Sequence, residues 1–133
     1  MKNVLILCTG NSCRSIMAEA LINDRLGACV KAYSSGVKAS AQVNSDAQKL
    51  LKRQGLWRDE YHSKTIDTVL SLPFDLVVTV CDHAKENCPI FPKALKTLHV
   101  GFDDPSGKAF AEYEKTLECL EKELLPLIKN ELC

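Results

Sequence analysis

The chain has 133 residues, 46% of them hydrophobic, which is enough for one compact domain with its own core and too short for two ordinary ones. Lysine plus arginine balances aspartate plus glutamate at 17 each, so no basic field recruits nucleic acid or an acidic membrane face, and a small molecule or a protein is the expected partner. The longest apolar run near the start, "VLILC", is too short and wrongly flanked for a signal peptide or a membrane span, so the expectation is a cytoplasmic protein that does not meet the membrane.

In chain order, "NVLILC" reads as a buried strand, and residues 14–26 as a helix ended by Gly27. "CVKAYS" is a second, shorter strand. Asn44 caps a helix that carries Ala47, Leu50 and Leu51 on one face and ends at Gly55, and a weaker helical turn lies near "TIDTVL". "FDLVVTVC" is the clearest strand and "LKTLHV" a fourth. From Phe110 onward, Tyr113, Leu117, Leu120, Leu124 and Leu127 recur at three- and four-residue steps as an amphipathic helix whose last turn Pro126 can kink. Near-continuous apolar strands alternating with helices predict a single α/β domain over 1–133, a parallel sheet covered on both faces.

Open sheets of this kind bind ligands beyond the carboxyl ends of their strands. Cys8 ends the first predicted strand, Cys81 the third, and "FDDP" follows the fourth, so three chemically distinctive features share one rim. The loop "CTGNSCRS" is a cysteine, five residues, an arginine and a serine. Thr9, Gly10, Asn11, Ser12 and Cys13 can turn successive backbone N–H groups inward as an anion nest, and the following helix adds its positive end. Arg14 offers a planar fork for two oxyanion oxygens. The same donors favour the thiolate form of Cys8, giving an ionised nucleophile that Ser15 can hydrogen-bond. Of the other cysteines, Cys29 and Cys119 read as small core hydrophobes and Cys133 as idle, because an odd count of seven in an aliphatic-rich chain fits a disulfide scaffold poorly.

The loop resembles that of the low-molecular-weight protein tyrosine phosphatase superfamily, and the likeness extends from "LILCTGNSCRS" through "MAEAL" and "YSSG" to "GFDDPSG". Within it, "VVTVCDHAKENCP" and "GFDDPSG" are most similar to thioredoxin-coupled arsenate reductases. The resemblance implies a four-stranded sheet of order 2-1-3-4, with Cys81 next to the first strand. It also implies a three-thiol relay. A phosphatase needs a nucleophile, a cradle, an acid and water, but a reductase must place two electrons on arsenic. Cys81 can supply them by attacking the arsenylated Cys8, and Cys88 by attacking Cys81 moves the oxidation outward to a bridge that thioredoxin reduces. Seven helical residues between Cys81 and Cys88 span about 10 Å, whereas a disulfide wants Cα atoms within roughly 7 Å. "DHAKENC" is therefore expected to be a short helix in the reduced protein and to unwind on oxidation. A metal site using Cys81, Cys88 and His83 is the competing reading of the pair, at a poor spacing for zinc.

In "GFDDPSG" the family pattern selects Asp104, directly before Pro105, as general acid; the alternative is that Asp103 and Asp104 only open a turn. Serine and glycine stand where typical phosphotyrosine hydrolases of this group carry a tyrosine pair, and Trp57 and Tyr61 are the nearby aromatic alternatives. Cys13 can be a second redox thiol or packing, and His62 and His99 read as local hydrogen-bond partners. Some relatives hold a potassium ion near the loop, at positions matched here by Asn11, Glu19 and Ser34. Thr65 stands at the fourth, beside Lys64, whose charge can replace the ion. The reading is a cofactor-free, metal-free, monomeric arsenate reductase with phosphate and sulfate as competing anions, thioredoxin as reductant and weak phosphatase activity. The alternatives are a low-molecular-weight phosphatase with redox-regulatory cysteines and a non-catalytic anion- or metal-binding thiol module.

Overall fold

Val4, Leu5, Ile6 and Leu7 are fully buried in strand β1 (Lys2–Cys8), as consecutive residues must be when both faces of a strand are covered. The structure is a computed structural model that describes residues 1–40, 42–88 and 94–133; Pro89, which closes the "VVTVCDHAKENCP" motif, lies outside them. β2 (Val30–Gly36), β3 (Leu76–Thr79) and β4 (Thr97–His99) complete one sheet of order β2-β1-β3-β4, and every pairing is parallel. The order anticipated from the family is thus the one observed. β3 is buried throughout, as β1 is from Val4 to Cys8, whereas the edge strand β4 is only half-covered.

Helix α1 (Arg14–Leu26) packs on β1 and β2 and buries an unbroken run from Ser15 to Ile22. α2 (Ser45–Arg53) is capped as expected: the Asn44 side chain accepts from the N–H groups of Asp46 and Ala47 at 2.9 and 3.2 Å. Past its end, Gly55 takes φ +71°, a left-handed conformation that favours glycine. The turn near "TIDTVL" is a single 3-10 turn over Ile66–Thr68. α3 (Asp82–Glu86) follows β3 and rests on β1 and β3. α4 (Phe110–Cys119) and α5 (Leu125–Leu132) are separated by a π-helical turn over Leu120–Leu124.

Three expectations change. β3 stops at Thr79, two residues short of Cys81, because Cys81 serves as N-cap of α3 instead. At the carboxyl end, Pro126 sits in the first turn of α5, where its missing N–H is not needed. The wider turn precedes it, and the buried stripe then continues at Ile128, with Leu127 only half-buried. Finally, Cys29 and Cys133 are neither core packing nor idle: they form a disulfide, with Cα atoms 6.0 Å apart. Cys119 is half-buried and a free thiol.

Candidate active site at the carboxyl ends of the strands

The loop from Cys8 to Cys13 is held from outside by its own carbonyls. Those of Cys8, Thr9, Gly10 and Ser12 accept from the N–H groups of Val37, Lys38, Ser40 and Asn44 at 2.8–3.0 Å, and the Cys13 carbonyl accepts from Met17. A planar trans peptide points its N–H opposite to its C=O. The N–H groups of Thr9, Gly10, Asn11, Cys13 and Arg14 are therefore turned away from these partners, toward the inner side of the loop. α1 begins there, and its N-cap Cys13 makes no side-chain cap hydrogen bond, so the first-turn donors remain available to an anion.

Cys8 is buried, and its Sγ lies 2.9 Å from Ser15 Oγ. Asn11 Nδ2 donates to the same hydroxyl at 2.8 Å, which leaves the Ser15 proton to face the sulfur. Asn11 is wholly buried with φ +49°, and its Oδ1 accepts from Lys64 N–H at 2.7 Å. This side chain bolts the loop to the segment behind it. Sequence reading placed Asn11 in the loop but not its Lys64 partner, since a main-chain donor 53 residues away carries no residue signature. Gly36 was likewise seen only as part of a motif. A Cβ there would stand 2.6 Å from the Thr9 carbonyl oxygen and 2.9 Å from Asn11 N, so only glycine lets β2 approach the loop this closely.

Cys81 arrives from the next strand. Its Sγ lies 3.1 Å from Thr9 Oγ1, at the lip of the loop, and accepts from the Ala84 N–H at 3.4 Å as the cap of α3. Asp82, the first residue of α3, pairs with His99 Nε2 at 3.2 Å, and His99 Nδ1 meets Thr79 Oγ1 at 2.7 Å, so His99 is the local hydrogen-bond partner expected. Cys88 lies beyond the end of α3, half-buried, and burial pushes its thiol up. Cys8, Cys13, Cys81, Cys88 and Cys119 are all thiols. Burial, reinforced by the charges of Asp104 and Cys8, pushes Cys13 up to about 12, which leaves it protonated at neutral pH. Among the described residues no three His, Cys, Asp or Glu side chains gather into a metal-binding group, and Cys81, Cys88 and His83 do not do so.

Arg14 reaches across to the loop after β4. Its Nη1 donates to the Phe102 carbonyl at 3.1 Å, and its Nη2 lies 3.6 Å from Asp104 Oδ2. Burial acts to raise Asp104, but hydrogen bonds from Ser106 and the charges of Arg14 and Lys108 outweigh it and hold the carboxyl below its ordinary value. These groups border a cleft of about 290 Å³ lined by Arg14, Cys81, Asp82, Phe102, Asp103 and Asp104. A larger cavity of about 480 Å³ lies behind the loop beside Glu19 and Lys64, but no cysteine lines it, whereas Cys81 lines the cleft. Tyr61 is buried, with its hydroxyl on Asn23, and packs edge-on against Trp57, so it forms no wall for an aryl group.

Behind the loop, Lys64 Nζ lies 3.7 Å from Glu19 Oε1, the oxygen that also accepts from Ser34 at 2.5 Å. The position that a monovalent cation would need against Glu19 is thus served by an ammonium group, and these residues do not fit a resident potassium ion.

Fold, loop and cleft together define the phosphatase-like class of anion-binding enzymes. Residues 3–132 match the low molecular weight phosphotyrosine protein phosphatase family, to which the chain therefore belongs. The chain is 42% identical over 114 residues to arsenate reductase 2 of Staphylococcus epidermidis, covering 86% of each protein. The crystal structure of an arsenate reductase from Archaeoglobus fulgidus is 32% identical, with a TM-score of 0.77 over 95% of this chain and 98% of that one. A low molecular weight protein tyrosine phosphatase from T. tengcongensis is 28% identical, with a TM-score of 0.80 over 98% and 99%.

Proposed function

We propose that the protein reduces arsenate to arsenite, acting as a monomer in the cytoplasm with thioredoxin as its reductant. The loop from Thr9 to Ser15 binds the oxyanion through its inward N–H groups and the Arg14 fork. Cys8 thiolate attacks arsenic, and Asp104 protonates the departing oxygen, giving a sulfur–arsenic bond and water. Asp104 is ionised in the anion-free protein, so it takes up that proton together with the anion, which engages Arg14 in its place. Cys81 then attacks Cys8 Sγ. The sulfur–arsenic bond breaks with its electron pair left on arsenic, arsenite departs, and a Cys8–Cys81 disulfide remains. Cys88 attacks Cys81, Cys8 leaves as thiolate, and thioredoxin returns the two electrons to the Cys81–Cys88 disulfide by thiol exchange.

The observation that carries this reading is the 3.1 Å contact between Cys81 Sγ and the hydroxyl of Thr9, the residue next to Cys8, since it puts a second thiol beside the nucleophile's loop. Hydrolysis of a phosphate ester needs no such thiol. Arsenate-dependent NADPH oxidation with thioredoxin and thioredoxin reductase is the test. Cys81→Ser and Cys88→Ser are expected to lose it by at least about 10³-fold while keeping whatever aryl phosphate hydrolysis the wild type has. Hydrolysis without arsenate turnover in the wild type would establish the phosphatase with regulatory thiols instead, and absence of both would leave a binding module.

A further inference from the structure

The Cys29–Cys133 disulfide joins residues 104 apart in sequence, and the topology of the sheet fixes where it lies. All four strands are parallel, so one rim carries every strand's start and the other every strand's end. Cys29 directly precedes β2, whereas Cys8 is the last residue of β1 and Cys81 follows the carboxyl end of β3. Seven residues of β1 separate the rims by about 23 Å. The bond is therefore out of reach of Cys8 and Cys81 and cannot exchange with them within one molecule.

What it fastens is the end of α5. Cys133 is the last residue, and Glu131 just before it pairs with Lys96, immediately ahead of β4, through contacts of 2.9 and 3.0 Å. β2 and β4 are the two edges of the sheet. The final turn of α5 is thus tied toward one edge by a covalent bond and toward the other by a solvent-exposed ion pair, a strap across the amino rim. The ion pair alone is weak, and the only residue that α5 buries, Ile128, lies a turn earlier. The bond is also accessible, because Cys133 is exposed while Cys29 is half-buried.

We propose that Cys29 and Cys133 are a second redox site, separate from the anion loop, which closes this strap in an oxidising thiol pool and opens it in a reducing one. Closure is thiol exchange with a low-molecular-weight disulfide. The exposed Cys133 thiolate attacks it, forms a mixed disulfide and releases one small thiol. Cys29 then displaces the second small thiol, so the protein gives up two electrons and two protons to the small disulfide. A dithiol reverses both steps. A bond that closes most of the chain into one loop restricts the unfolded state, so the closed form melts higher, by on the order of 10 °C.

The full chain is incubated with oxidised glutathione or with dithiothreitol, blocked with iodoacetamide and digested with trypsin without reduction. The glutathione sample is expected to yield LGACVK joined to NELC, and the dithiothreitol sample the two alkylated peptides, from protein that is still folded. Thermal scans should show the oxidised wild type melting about 10 °C higher than oxidised Cys133→Ser, with the two coinciding after reduction. Cys29→Ser should repeat the result, and shifts from the five other cysteines are common to all three proteins. Reduced Cys133→Ser should match the wild type in arsenate and aryl phosphate turnover, so the outcome stands apart from the arsenate reading. Absence of the joined peptide, its persistence in dithiothreitol, equal melting of oxidised wild type and variant, or loss of turnover in reduced Cys133→Ser would each overturn the proposal.

Discussion

The anion loop and the segment after Cys81 share one rim and are built in opposite ways. Around Cys8 almost every polar group has a fixed partner: four loop carbonyls are bound by residues 37–44, and Asn11 and Ser15 are wholly buried. α3 is five residues long, buries only Ala84 and takes its cap from the sulfur of Cys81 itself. The contrast suits the two tasks of the proposed relay. Donors that stabilise a thiolate and an oxyanion must not relax as charge moves, whereas a disulfide between Cys81 and Cys88 cannot form across an intact helix. A short helix whose N-cap is consumed by oxidation loses its cap when it has to unwind.

The harshest way to break the comparison is at the nucleophile. Cys8→Ser should lower both arsenate reduction and aryl phosphate hydrolysis by about 10⁴-fold or more. Cys13→Ala, five residues along the same loop, should leave both within about threefold, because burial keeps that thiol protonated. Iodoacetamide at neutral pH followed by peptide mapping checks the difference directly: label on Cys8 and none on Cys13 is expected, and label on Cys13 in the folded protein would show that the interior of the loop opens.

Asp104 stands at the boundary between the two regions. Its carboxyl is held low by Ser106, Arg14 and Lys108 against the opposing effect of burial, and it occupies the guanidinium that an oxyanion needs. Asp104→Asn removes both the proposed acid and the competitor. We expect kcat to fall about 10²-fold while inorganic phosphate inhibits at lower concentration than in the wild type. Equal losses in kcat and in phosphate affinity would instead make Asp104 a turn residue that only shapes the loop, the alternative its position before Pro105 allows.

The rigid half of the site was the more legible in the sequence. Its donors are contiguous, from Thr9 to Ser15, and a strand–loop–helix pattern states their geometry by itself. The approach of Cys81 to Thr9, 72 residues apart, followed only from a strand order borrowed from the family. Gly36 against the loop backbone, Lys64 N–H on Asn11 and the Cys29–Cys133 bond were not legible, because each is a meeting of distant segments in which neither residue type is unusual where it stands. The π turn before Pro126 was missed for a different reason. A stripe at three- and four-residue steps accommodates one extra residue without breaking its pattern.

If unwinding of α3 limits the second exchange, weakening that helix should speed it. Lys85 is exposed, and Lys85→Gly lowers helix stability by about 0.7 kcal/mol, which predicts a roughly threefold faster transfer of the disulfide from Cys8–Cys81 to Cys81–Cys88. Rapid acid quenching and mass mapping after a single turnover measures it. Formation of the first disulfide should change less, and an unchanged second step would mean that the helix is not the brake.

The smallest effect concerns the ion pair behind the loop. Burial raises Glu19 and lowers Lys64, and the mutual attraction of the two opposes both shifts. A raised Glu19 contributes stability below its unfolded value of 4.5 that is lost as pH rises through the raised value. A lowered Lys64 contributes stability above its unfolded value of 10.5 that is lost as pH falls through the lowered value. Lys64 Nζ stands 3.7 Å from Glu19 Oε1, so an added cation meets a carboxyl group that already has a partner. Exchanging sodium for potassium at constant ionic strength should therefore change wild-type turnover by less than about twofold. In Lys64→Ala the Glu19 carboxylate loses its partner, and potassium should then raise the melting temperature more than sodium does. A severalfold potassium activation of the wild type would show that Lys64 leaves Glu19 in solution, and that the loop is bolted from behind less firmly than its hydrogen bonds indicate.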